Sequence, residues 1–217
     1  MTAMAARPLL LVLSAPSGGG KTTIAKALLS SRDDVAYSVS ATTRSPRDGE
    51  EDAKDYFFLT RDAFAGRREA GDFVEWAEYG GELYGTLQSE VDRVLAAGRH
   101  LVLDIEIQGA RQLRERRADV VSIFILPPSA ETLRERLAGR STDNPGQVSR
   151  RLRRAVEELA DAPAFDYVVM NDERERAVAD VAAILDAEAS RVPRQRDLAG
   201  VLERLREGLS RLAAETL

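Results

Sequence analysis

The stretch Ala15-Pro16-Ser17-Gly18-Gly19-Gly20-Lys21-Thr22, with Thr23 behind it, gathers three glycines, a lysine and three hydroxyls into one short loop. That combination suits phosphate chemistry. Glycines let successive backbone N–H groups converge on phosphate oxygens, and a helix opening near Lys21 turns its positive dipole end toward them. In this pattern the lysine reaches the β and γ oxygens of a nucleoside triphosphate, and the Thr22 hydroxyl faces Mg²⁺. Ala15 stands where the pattern has its first glycine. A glycine-rich turn between strand and helix also occurs without a ligand. Gly-Lys-Thr after an apolar strand makes that bland reading the weaker one.

Two further groups could work with the loop. Asp104 and Glu106 close an apolar run at residues 101–105, where a carboxylate is placed to hold Mg²⁺ directly or through water. Acidic residues at strand ends are often simple turn formers, and only the loop tips the balance toward function. The second group is Thr42-Thr43-Arg44-Ser45-Pro46-Arg47-Asp48-Gly49-Glu50, with Lys54-Asp55-Tyr56 beyond it. Two arginines three apart, stiffened by a proline between them, form a fork able to grip a dianionic phosphate. A triphosphate loop alone leaves motors, GTPases and kinases open. The fork points to a phosphorylated acceptor.

Composition removes alternatives. There is no cysteine, so disulfides, thiolate metal sites and thiol nucleophiles are excluded. The one histidine, His100, reads as a surface residue at a strand start. Chemistry must therefore run on lysine, arginine, carboxylates, backbone amides and a metal. A net charge of −5 argues against a general nucleic-acid surface. No apolar run is long enough for a bilayer, and the first residues lack a signal-peptide layout, so the expected location is the cytoplasm, with no membrane partner.

These groups need a frame. Residues 9–14, 101–105, 120–126 and 167–170 are short, nearly continuous apolar runs, as parallel strands covered on both faces should be. Helical patterns lie at 22–29, 109–117, 129–137, 148–159 and 173–190. The alternation predicts an α/β fold with a doubly wound parallel sheet. Residues 38–89 break the rhythm with charge, glycine and aromatics, and read as an inserted lobe of short antiparallel strands plus a small helix near 61–70. Beyond Pro193, Leu198, Leu202, Leu205, Leu209 and Leu212 recur at steps of four and three. That stripe suits packing on the chain's own core, the preferred reading, or pairing with another subunit.

At this point the sequence resembles the guanylate kinase family. The residues that carry the resemblance lie at 14–23, 40–47, 54–58, 73–76, 84–86, 103–109, 139–142 and 171–172, in the family's order from about residue 9 to 190. The resemblance implies a P-loop three-layer fold with a five-stranded parallel sheet. The core would be residues 1–37 and 88–190 with a short helical lid at about 138–151, the inserted mixed-β acceptor lobe residues 38–87, and residues 191–217 a helical extension. It also implies Mg²⁺-assisted transfer of the ATP γ-phosphate to GMP, and to dGMP. The resemblance says nothing of residues 192–217, and the chain is expected as a monomer or as a homo-oligomer, for which the last helix offers a pairing surface. By position, Ser40, Arg44, Arg47 and Tyr56 would bind the acceptor phosphate, with Tyr84 nearby. Glu75 and Thr86 would read the guanine, while Asp104 and Glu106 would lie near the acceptor or the metal. Arg140 and Arg151 resemble lid arginines, with Arg136 able to join them, and Asn171 resembles a contact to adenine. The chemistry agrees, since guanine offers N1–H and N2–H₂ donors side by side to an acceptor-only carboxylate such as Glu75. Departures are Ala15, Ala53 before Lys54-Asp55-Tyr56 where glycine is frequent, and Ser141 in the lid. Competing readings are a binding scaffold that has lost catalysis and a kinase for a different acceptor. The intact Lys21, Thr22 and Asp104 weigh against the first, and Glu75 with Thr86 against the second.

Overall fold

In the computed structural model of the chain, which describes residues 6–139 and 145–215, the run after Pro8 forms a strand buried along its whole length. This is β1 (Leu10–Ser14), followed by α1 (Lys21–Ser31), β2 (Val35–Tyr37), β3 (Ser40–Thr42) and β4 (Tyr56–Phe58). Then come α2 (Arg61–Glu69), β5 (Phe73–Tyr79), β6 (Glu82–Leu87), α3 (Gln88–Ala96), β7 (His100–Asp104) and α4 (Ile107–Arg116). The chain continues through β8 (Val120–Leu126), α5 (Ala130–Ala138), α6 (Pro145–Leu159), β9 (Tyr167–Met170), α7 (Arg174–Ala189) and α8 (Leu198–Glu215).

The first sheet has five parallel strands in the order β2-β7-β1-β8-β9. Successive side chains of a strand point to opposite faces, and the core divides accordingly. Leu11 and Leu13 join Ile24, Leu28, Val181 and Leu185 of α1 and α7 on one face. Leu10 and Val12 join Val91, Val94 and Leu113 of α3 and α4 on the other. This is the expected three-layer α/β arrangement with a parallel five-stranded sheet. Two of its elements went unread in the sequence: β2 has only three residues, whereas α3 does hold Val91, Val94 and Leu95 at helical spacing.

The second sheet is ordered β4-β3-β6-β5. It is mixed, as the resemblance implies: β3 and β4 run parallel, while β3–β6 and β5–β6 are antiparallel. Parallel neighbours need a long crossover, which residues 43–55 provide. Its own core holds Ala41, Phe64, Phe73 and Leu87, with the Phe64 and Phe73 rings stacked 4.4 Å apart. The side chain of Gln112 on α4 fixes this sheet to the first, accepting from the Trp76 backbone N–H at 3.3 Å and donating to its carbonyl at 2.7 Å.

Two expectations are corrected. His100 does start a strand, but it is buried, because its Nδ1 accepts the Leu9 N–H at 3.0 Å and ties β7 to the entry of β1. The α8 leucines do not pack on the core: Leu202, Leu205, Leu209 and Leu212 are 50% to 65% exposed. The faces of the first sheet are already covered by α1, α7, α3 and α4, leaving the stripe no apolar groove there. Among the described residues no helix is long and apolar enough to cross a membrane.

Candidate active site

β1 delivers the chain into the loop, and α1 begins at Lys21. Gly18 and Gly20 have φ of +88° and +99°, which L side chains rarely adopt, so glycine is needed at both. Gly19 closes a tight turn, its N–H donating to the Pro16 carbonyl at 2.8 Å. A β-carbon at Gly19 would come within 2.8 Å of the Ala15 methyl, so the alanine in place of the first glycine fits only because Gly19 leaves room.

Side chains from distant elements brace the loop. Asn171, at the end of β9, donates from Nδ2 to the Gly19 carbonyl at 2.8 Å and occupies the space a Gly20 side chain would need. Arg136 of α5 donates to the Asn171 carbonyl at 2.9 Å, and its buried Nη1 has no hydrogen-bond partner among the described residues. From α6, Glu158 accepts the Ser17 N–H at 2.8 Å and Arg151 donates from Nε to the Ser17 hydroxyl at 3.1 Å. Arg140 lies outside the described residues. A cavity of about 230 Å³ follows the loop from Pro16 to Thr23.

Lys21 points from the loop to the end of β7. Its Nζ lies 2.6 Å from Glu106 Oε1 and 3.7 Å from Asp104 Oδ1. Burial pulls its pKa down, but the two carboxylates outweigh burial and hold the ammonium above its ordinary range. Burial pushes Asp104 up, an effect only partly offset by Lys21 and the Thr22 hydroxyl. Asp104 Oδ1 has no hydrogen-bond partner among the described residues.

A larger cavity, about 570 Å³, opens between the two sheets. Ser40, Tyr56, Glu75, Tyr84, Asp104 and Glu106 all line it. Arg44 sits at its margin, its guanidinium over the Tyr56 ring at 5.3 Å. The structure adds Glu50 here. Its carboxylate accepts two 2.9 Å bonds from the Arg44 guanidinium and one at 2.7 Å from the Arg47 N–H, while Arg47 itself is exposed.

Glu75 is almost fully buried, yet it faces this cavity rather than the Phe73 cluster. A register shift between Phe73 and Glu75 explains this: the bulge places Val74 and Glu75 on the α4 side, and Trp76 returns to the Phe73 side. Thr86, opposite Glu75 across β5 and β6 and also buried, donates its hydroxyl to Glu75 Oε1 at 2.6 Å. Burial pushes the Glu75 carboxyl up to about 7 despite that bond.

Sequence reasoning gave no role to Glu50, Tyr79, Arg154 or Glu158. Glu50 stood inside the arginine motif, three residues past Arg47, and that spacing was its signal. The other three owe their places to long-range packing and carry no local mark.

A phosphate loop between strand and helix on a parallel sheet, with a lysine and two carboxylates at adjoining strand ends, defines a P-loop nucleotide-binding protein. Comparison with known proteins narrows this class. A sequence model of the guanylate kinase family matches residues 7–188. The guanylate kinase of Symbiobacterium thermophilum is 46% identical over 186 residues, 86% of this chain and 88% of that protein. The guanylate kinase of Geobacter sulfurreducens is 47% identical over 188 residues, 87% of this chain and 93% of its own. The crystal structure of guanylate kinase from Anaplasma phagocytophilum, 34% identical, superposes with a TM-score of 0.76 over 94% of this chain and 97% of that one. The chain belongs to the guanylate kinase family.

Proposed function

We propose that the chain transfers the γ-phosphate of ATP to GMP, and to dGMP, giving ADP and the diphosphate. Membership of the guanylate kinase family carries ATP:GMP phosphotransfer to it. The observation that supports the choice of guanine best is the buried Glu75–Thr86 pair at the wall of the larger cavity. A carboxylate there accepts from guanine N1–H and N2–H₂, and the Thr86 hydroxyl, which now donates to Glu75, would have to turn from it to reach O6. Adenine would set an unprotonated N1 against the carboxylate, and sites built on such bonds reject the wrong partner by roughly 10⁴-fold.

In this reading residues 38–87 form the acceptor lobe and the segment at about 138–151 the lid. The loop from Ala15 to Thr23 holds the ATP phosphates, Lys21 exchanging Glu106 for their oxygens. Asn171, expected against the adenine, also holds the Gly19–Gly20 turn in place. Arg151 is already at the loop, Arg136 brings its unpaired Nη1, and Arg140 would come from the lid. Ser40, Arg44, Arg47 and Tyr56, with Tyr84, would grip the acceptor phosphate, with Asp104 and Glu106 at the base of its pocket.

The chain also fits Mg²⁺. Asp104 offers a buried oxygen that takes no hydrogen bond from the described residues, beside the Thr22 hydroxyl, and a site of one carboxylate, one hydroxyl and substrate phosphates is what this ion ordinarily takes. When bound it would neutralise charge on the transferring group. No strong base is required of the protein, because a monophosphate has a second pKa near ~6 and its oxygens are already largely anionic. The task of these residues is to align two anions and stabilise the charge between them.

A coupled assay across a panel of nucleoside monophosphates tests the proposal. GMP should be the preferred acceptor, and Lys21→Ala should abolish turnover. Equal rates with AMP and GMP would remove the guanine assignment, and no turnover with any acceptor would favour a scaffold.

A further inference from the structure

Besides Lys21 and Thr22, two residues border both cavities: Glu106 and Tyr79. A single side chain of α6, Arg154, touches them both. Its guanidinium carbon lies 4.5 Å from the Tyr79 ring centroid, and its Nη2 lies 3.6 Å from Glu106 Oε2. Its Nε donates to Glu158 Oε1 at 2.7 Å, and Glu158 in turn holds the Ser17 N–H of the phosphate loop. One arginine thus joins α6, the loop, the end of β7 and the second sheet. Only its flat guanidinium could stack on a ring and pair with carboxylates at once.

We propose that Arg154 couples the two substrate sites, so that ATP tightens GMP binding and GMP tightens ATP binding by the same factor. This rests on the assignment of the two cavities made above. Among the described residues Glu106 has two cationic partners, Lys21 at 2.6 Å and Arg154 at 3.6 Å. When ATP phosphates draw Lys21 away, Glu106 loses the nearer one. A partly buried carboxylate deprived of its cation is costly, and Arg154 is within reach to replace it. By closing on Glu106, Arg154 draws α6 toward the wall of the acceptor cavity while its stack on Tyr79 holds the second sheet to α6. The contact is stronger with ATP bound than without it, and such a difference between states is what coupling requires.

Calorimetry on the full chain with MgCl₂ tests this by measuring the Kd for GMP alone and at saturating β,γ-imido-ATP. For the wild type, the analogue should tighten GMP about fivefold, while in Arg154→Ala that factor should fall to near one with each single-ligand Kd within about twofold of wild type. Tyr79→Phe, which keeps the ring, should retain coupling, and Tyr79→Leu should lose it. An uncoupled wild type, or coupling that survives in Arg154→Ala, would overturn the proposal. Weakening of each ligand alone by as much as the ternary complex would also overturn it, making Arg154 a plain binding charge. A wild type that binds no GMP at all would instead overturn the cavity assignment.

Discussion

The carboxylate of Glu75 rests against the α-carbon of Gly109, in the space where a β-carbon would sit. Gly109 lies in the first turn of α4, and its missing side chain lets the carboxylate reach both Thr86 and the cavity. In most helices Gly→Ala would stabilise by roughly 0.5–1 kcal/mol. Here Gly109→Ala must push Glu75 out of line. The KM for GMP should rise about tenfold or more, in keeping with a misaligned hydrogen-bonding site, while the KM for ATP stays within about twofold. Steady-state kinetics with each substrate varied will decide, and an unchanged KM for GMP would mean that the carboxylate position is not critical.

Glu75 also makes recognition depend on pH. Its carboxyl, raised by burial from 4.5 to about 7, must lose its proton to accept from guanine. The KM for GMP should therefore increase as pH falls from 8 to 6, and the increase should be smaller in Glu75→Gln, where only the second phosphate pKa of GMP, near ~6, remains to titrate. Stability runs the other way. Between pH 4.5 and 7 the folded chain holds a proton that the unfolded chain has released, so unfolding becomes easier as pH rises through that window. At about 1.4 kcal/mol per unit, the cost above pH 7 is on the order of 3 kcal/mol at most. Glu75→Gln should thus melt higher than wild type at pH 8, with the gap closing toward pH 5.

Glu50 holds Arg44 by two parallel bonds and the Arg47 backbone by a third. Its expected role is to preset the fork for a phosphate. Glu50→Gln keeps the shape but loses the charge, and should raise the KM for GMP by about tenfold with a smaller change in kcat, as for a lost positioning contact. A fall in kcat with KM unchanged would count against presetting.

Ala53 is the one residue other than glycine with positive φ, 60°, among the described residues. The left-handed region costs an L-residue about 1–2 kcal/mol, partly offset by the extra unfolded-state freedom of glycine. Ala53→Gly should stabilise the chain by roughly 0.5–1 kcal/mol, read by thermal or urea unfolding, with GMP kinetics nearly unchanged.

What could be read in advance follows from where the constraint lies. The loop from Ala15 to Thr23 was legible because left-handed turns demand glycine and phosphate demands a cation, so backbone and chemistry both mark the local sequence. Arg44 and Arg47 stood out by their charge and spacing alone, and the structure leaves Arg47 exposed. The direction of β4 was not, because it depends on the path of residues 43–55 through space rather than on the composition of Tyr56–Phe58. His100 was misjudged because its partner, the Leu9 N–H, lies 91 residues away. Glu75 was identified by resemblance alone, and the bulge that turns it toward the cavity leaves no trace in alternation. Arg154 and Glu158 look like any charged pair four apart on a helix until the fold sets Tyr79, Glu106 and Ser17 beside them.

Lys21, resting between Glu106 and Asp104, leaves the loop nearly self-neutralised. A bare oxyanion from the medium would gain little there, since taking the lysine would strip Asp104 of its cation and leave Glu106 to Arg154 alone. A polyphosphate that arrives with its own divalent cation supplies the missing countercharge. The resting ion pairs would thus act as a filter on cargo, favouring metal-loaded nucleotide over stray sulfate or phosphate. Weak inhibition by either salt at cellular ionic strength is the expected sign, and strong competitive inhibition would show that the filter is absent.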